Sequence, residues 1–260
     1  MYSKRLSGFA LSLLLVTAAC GGGGTDEPAG GSAAPAAAAT VDAATAGNIT
    51  GKVMFEGTAP ANEPIRMNAD PACLKVAPGQ QIQETYAVGS GGEFGNVFVY
   101  VKTGLESYRF PVPTDPVVLE QRGCRYIPHV FGIQVGQPLQ ILNDDPTLHN
   151  IHATPAANSE FNTGQPIQGM KTEHVFTAPE IMVPFKCDVH GWMNATVGVV
   201  THPYFSVSGT DGAFALNTLP PGTYTIEAVH ERLGAQTQMV TIAANETAEI
   251  TFTFQAPAAD

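Results

Sequence analysis

Apolar and polar positions alternate with a period of two in the clearest stretches of the chain. Val97, Val99 and Val101 interleave with Phe98, Tyr100 and Lys102, and Ile250, Phe252 and Phe254 with Thr251, Thr253 and Gln255, the signature of half-buried strands. No stretch after residue 46 carries a helical stripe. Turn residues are dense, at Gly89-Ser90-Gly91-Gly92, Pro111-Val112-Pro113, Asp211-Gly212 and Pro220-Pro221-Gly222. The pattern predicts an all-β protein of the β-sandwich class.

The first 46 residues follow other rules. Lys4 and Arg5 precede a short apolar run, Phe9 to Val16, and then Thr17-Ala18-Ala19-Cys20, which reads as a signal peptide over residues 1–19. The run is too short to span a bilayer. Cys20 resembles the lipidated cysteine of bacterial lipoproteins, which implies a lipid anchor there. Gly21 rather than Asp after it points to the outer membrane, facing the periplasm. Residues 20–46 are Gly-, Ala- and Pro-rich and offer almost nothing large to bury, so a disordered tether is expected. As a flexible coil it would hold its ends about 25–30 Å apart.

Composition narrows the partners. The chain has 260 residues, 44% hydrophobic, and a formal net charge of −11, enough to bury more than one core and unsuited to nucleic acid, whose phosphates need clustered Lys and Arg. Removal of Lys4 and Arg5 makes the mature chain more acidic still. Such a surface steers basic partners and equally keeps an exported protein soluble.

The candidate chemistry lies in Phe185-Lys186-Cys187-Asp188-Val189-His190-Gly191-Trp192-Met193 and in Asp144-Asp145-Pro146-Thr147-Leu148-His149-Asn150-Ile151-His152. A thiolate, an imidazole and a thioether in one short loop, completed by a distant imidazole, form the ligand set of a blue-copper centre. A zinc site has no use for the methionine. Gly191 suits a tight turn that gathers the loop ligands.

These residues resemble the cupredoxin family, over roughly residues 117 to 202. Cys187-x-x-His190-x-x-Met193 is similar to the short ligand loop of amicyanin, and Ile133-x-Val135-Gly136-x-x-Leu139-x-Ile141-x-Asn143 before His149-Asn150 resembles the approach to the first histidine of plastocyanin. The resemblance implies one type 1 copper held by His149, Cys187, His190 and Met193, with Asn150 hydrogen-bonding near the sulfur. His152 is an alternative to His149. It also implies that His190 faces solvent and carries electrons to a redox partner, a cytochrome or oxidoreductase, docked on a patch of Pro146, Leu148, Gly191 and Trp192. The family's glycine and tyrosine before the cysteine are missing: this chain has Pro179-Glu180-Ile181-Met182-Val183-Pro184-Phe185.

Export into an oxidising compartment would pair Cys73 with Cys124 and leave Cys187 for metal. Two separate buried thiols are the alternative, and a Cys124–Cys187 pair would abolish the copper reading. Ser208-Gly209-Thr210-Asp211-Gly212-Ala213-Phe214-Ala215-Leu216 with Leu219-Pro220-Pro221-Gly222-Thr223-Tyr224-Thr225-Ile226 resembles the second half of a carboxypeptidase regulatory-like, transthyretin-like domain. Asn48-Ile49-Thr50-Gly51-Lys52-Val53 and Asn96-Val97-Phe98-Val99-Tyr100-Val101 resemble its opening strands. The expectation is one sandwich from residues 47–113 and 203–256 with a cupredoxin, 114–202, inserted; three consecutive β units are the alternative. His129, His174, His202 and His230 are expected singly at the surface or as caps. No catalytic grouping is visible, so an electron carrier is expected rather than an enzyme. A copper storage or delivery protein and a surface β-module binding glycan or protein are the other readings.

Overall fold

The computed structural model describes residues 39–257. The expected signal peptide, Cys20 and most of the tether lie outside them. The tether's last residues do not behave as expected: the Ala39 N–H donates to the Ser107 carbonyl at 3.0 Å, and 43–45 form a turn leading into the first strand.

The described chain is nearly all β, in two layered cores. In the first, Gly47–Glu56 runs antiparallel to Ala213–Leu219 and parallel to Thr247–Gln255. Facing it is a sheet in the order Phe205–Val207, Phe98–Thr103, Gly222–His230, Gly234–Ile242. The period-two pattern places Ile49, Val53, Val97, Val99, Val101, Phe252 and Phe254 between the sheets. Burying each such side chain contributes roughly 1.5–3 kcal/mol. Gly212 closes a turn at φ 72°, and a Cβ there would lie 2.4 Å from the Val53 carbonyl oxygen, so glycine is required.

The second core lies between two sheets. One is ordered Phe161–Gln165, His149–Ala153, Glu180–Lys186, Asn194–Val200, Val130–Gln134; the other Lys171–Val175, Pro138–Asn143, Val117–Gln121, Tyr126–Ile127. Leu119, Phe131, Ile133, Ile141, Ile151, Phe176, Phe185 and Val197 fill it. The unusual run before Cys187 still makes a strand, with an irregular register between Glu180 and Val183 and Met182 at φ 61°.

Phe98–Thr103 is buried on both faces rather than half-buried as its pattern suggests. Its valines point into the first core, while Phe98 and Tyr100 join Val130 and Val200 of the second sandwich. Gly132 and Gly198, paired across neighbouring strands, make room: a Cβ on Gly198 would come within 2.2 Å of the Phe98 ring. Gly198→Ala is therefore expected to cost about 1–3 kcal/mol through overpacking, read as a lower denaturant midpoint.

One excursion crosses between the cores. After Gly47–Glu56 the chain makes a small hairpin, Pro64–Ile65 with Gln81–Ile82, enclosing the described residues' α-helix, Pro71–Val76. Asp70 caps this helix, its Oδ1 accepting from the N–H groups of Ala72 and Cys73, and Pro71 starts it. The hydrophobic pattern does not show it, because six residues are too few for a stripe; only the Asp70-Pro71 pair marks its start. Ile65, Met67, Cys73 and Ala77 pack in the second core, although chain order groups them with the first. Among the described residues no helix is long and apolar enough to cross a membrane.

Candidate metal centre

Two antiparallel neighbours, Glu180–Lys186 and Asn194–Val200, pair Lys186 with Asn194. The loop between them therefore begins at Cys187 and ends at Met193. The Cys187 N–H donates to the Met193 carbonyl (3.2 Å) and the Met193 N–H to the His190 carbonyl (2.8 Å). Gly191 lies outside the positive-φ region and a Cβ there would meet open space. The expected need for glycine is thus not met at this position; the tight backbone hydrogen bonds shape the turn instead.

His149 opens the adjacent strand, His149–Ala153. Alternation sends His149, Ile151 and Ala153 into the protein and His152 to the other side. A ring nitrogen of His149, Cys187 Sγ and a ring nitrogen of His190 fall within 4.8 Å of one another, all three residues buried. The two Nδ1 atoms are 2.9 Å apart, and His190 Nδ1 is 3.9 Å from the sulfur. Met193 is buried in the same core cluster. His152 is kept apart from this group by two carboxylates, Asp188 at 2.8 Å on Nδ1 and Glu160 at 2.7 Å on Nε2.

The sulfur is prepared for an anionic role. Burial pushes the Cys187 thiol up, but the His149 imidazole and the backbone N–H groups of Asn150, His190 and Val189 outweigh it and hold the thiol below its ordinary value. Asn150 also ties the loop to its neighbour strand, its Oδ1 accepting from the Asp188 N–H at 2.7 Å. Cys187 is the free cysteine among the described residues. Cys73 and Cys124 are joined in a disulfide, 51 residues apart in sequence.

Each imidazole is held from behind by a carboxylate. His149 Nε2 donates to Asp145 Oδ2 at 2.9 Å, and Asp145 also accepts from the N–H groups of Gly123 and Cys124. His190 Nε2 donates to Asp70 Oδ2, also at 2.9 Å. That hydrogen bond is the main reason the Asp70 carboxyl sits below its ordinary value, against a smaller opposing effect of burial. Turning Nε2 of both rings to a carboxylate leaves Nδ1 of each ring on the inner side of the site. Asp145 stood in the sequence motif without a role, and Asp70 gave no local signal of this one.

His190 does not face solvent as the family resemblance implies: it is 2% exposed. The excursion covers it, with Asp70 and with Cys73, whose Sγ is 3.6 Å from Nε2. Trp192 closes another side, its ring centroid 5.0 Å from that of His190 and its Nε1–H donating to the Cys124 carbonyl. Of the expected docking patch, Pro146, Gly191 and Leu148 are exposed, Leu148 by 43%, while half-buried Trp192 is a wall of the site.

The remaining histidines are less exposed than expected. His202 and His230 are buried and bonded to the carbonyls of Val101 and Thr85, His129 is buried between the Asn194 carbonyl and Glu231, and half-buried His174 stacks on Phe161. Among the described residues none of the four joins a candidate metal-binding group.

No protein-family model and no curated protein matches the chain. Among solved structures, a reduced tryptophan-to-tyrosine mutant of amicyanin is 20% identical over 34% of this chain and 85% of its own, with a TM-score of 0.30. The copper-containing nitrite reductase of Thermus scotoductus SA-01 is 21% identical over 38% of this chain, which spans 25% of the reductase, at a TM-score of 0.30. A purple cupredoxin from Nitrosopumilus maritimus is 29% identical over 29% of this chain and 81% of its own, at 0.26. At such TM-scores these likenesses carry no argument; the functional reading rests on the site.

Proposed function

We propose that the chain is a type 1 copper protein that carries one electron at a time between redox proteins. The observation behind it is the convergence of a buried, hydrogen-bonded thiol and two imidazole nitrogens within 4.8 Å, with Met193 closing the same loop. The donor set fits the ion. Copper, when bound, supplies a one-electron couple that a soft sulfur and two ring nitrogens share between its oxidation states. Cys187, His149 and His190 would hold it, Met193 would add a weaker sulfur donor, and the carboxylates behind the two rings would keep them oriented through the change of charge. A site buried this fully favours a carrier over a storage or delivery protein, which needs an ion that can leave.

The same reading takes residues 47–113 and 203–256 as a host sandwich and 114–202 as a cupredoxin inserted in it. The pairing of Gly47–Glu56 with Ala213–Leu219 and Thr247–Gln255 supports this. It also takes the protein as exported and anchored at Cys20, since a disulfide such as Cys73–Cys124 persists in an oxidising compartment.

Adding Cu(II) to the purified metal-free protein tests the proposal. An intense thiolate-to-copper absorption band is expected at one equivalent. A colourless product with a titratable Cys187 thiol overturns it. As a finer check on the axis, Met193→Gln is expected to keep the band and lower the reduction potential, because the axial ligand tunes it; an unchanged potential removes Met193 from that position.

A further inference from the structure

We propose that Asp70, carried on the excursion from the first sandwich, is a positioning residue for the metal centre: it holds the outer nitrogen of His190 and biases the centre toward its oxidised form. The proposal rests on the copper reading above and adds to it a residue 120 positions from the histidine it holds. His190 sits in a three-sided box of Asp70, the Cys73–Cys124 disulfide and Trp192. The box is not adventitious packing. The helix that carries it is pinned covalently through Cys73, and Asp70 is fixed by three further donors, the Ala72 and Cys73 N–H groups on Oδ1 and the Thr147 hydroxyl on Oδ2 at 3.1 Å.

The chemistry follows from the mirror relation of the two rings. Asp145 backs His149 and Asp70 backs His190, both at 2.9 Å on Nε2. A carboxylate accepting the outer N–H makes an imidazole a better donor. Two carboxylates and one thiolate give three negative charges around the site, which favour the dication over the monocation by Coulomb attraction. Each carboxylate thus lowers the reduction potential.

Asp70→Asn is the test. It keeps the Oδ1 that caps the helix and removes the charge facing His190. The Cu(II) affinity is expected to fall about 10- to 100-fold while Cu(I) affinity changes little. At 59 mV per tenfold for one electron, the potential then rises by about 60–120 mV, with the absorption band retained. Asp70→Ser, which caps a helix but is too short to reach His190, should give the same shift and decides the matter if the first variant does not fold. Leu74→Gly, at a half-exposed position of the same helix that makes no hydrogen bond to the carboxylate, loosens the helix by about 1 kcal/mol and should leave the potential unmoved. An unshifted potential in Asp70→Asn, or an equal shift in Leu74→Gly, overturns the proposal while a blue wild-type protein keeps the copper reading intact. A colourless wild-type protein instead brings down the copper reading.

Discussion

Cys187→Ser is expected to abolish the visible charge-transfer band entirely while leaving the fold in place. A serine hydroxyl does not ionise at neutral pH, and its hard oxygen is a poor match for copper in either oxidation state. The backbone N–H groups of Asn150, Val189 and His190 that now converge on the sulfur can still be satisfied by the smaller oxygen, and the strands on either side of the loop are paired independently of it. Absorbance of the copper-loaded variant beside its far-ultraviolet circular dichroism makes the comparison. A band that survives with a native spectrum removes Cys187 from the ligand set.

The second large effect concerns stability. Replacing Cys73 and Cys124 together with serine opens a loop of 51 residues and is expected to cost about 2–4 kcal/mol. Both sulfurs lie in the second core, so two buried hydroxyls add to the loss. Equilibrium unfolding in guanidinium of the metal-free proteins gives the difference in midpoint. Equal midpoints would show that the apolar contacts of Ile65, Met67 and Ala77 alone secure the excursion.

What could be read from the chain alone was whatever depends on near neighbours. The alternation at 97–102 and 250–255 marks real strands, and the two-residue gaps of Cys187-x-x-His190-x-x-Met193 do place three side chains on one hairpin loop. The choice between His149 and His152 was also available: three residues apart on a strand, they must face opposite ways, and Ile151 and Ala153 show which way is inward. Other features were hidden because distant segments make them. Phe98 and Tyr100 look like the outer face of a half-buried strand until a second sandwich covers them. Asp70-Pro71 announces a helix start, but nothing near it says that the carboxylate will meet a histidine 120 residues later. The burial of His190 was missed for the same reason.

On the copper reading, the position of the disulfide bears on maturation. Cys73 belongs to a cluster with Asp70 and His190, and Cys124 to one with Asp145 and His149, each cluster gathered within 4.8 Å. A chain that met copper before these cysteines were oxidised would offer three thiols among the described residues where the bridged form offers one, and monovalent copper prefers such thiol-rich nests. On the copper reading, closing the bridge would withdraw two competing thiols at once and leave Cys187 as the thiol for the ion.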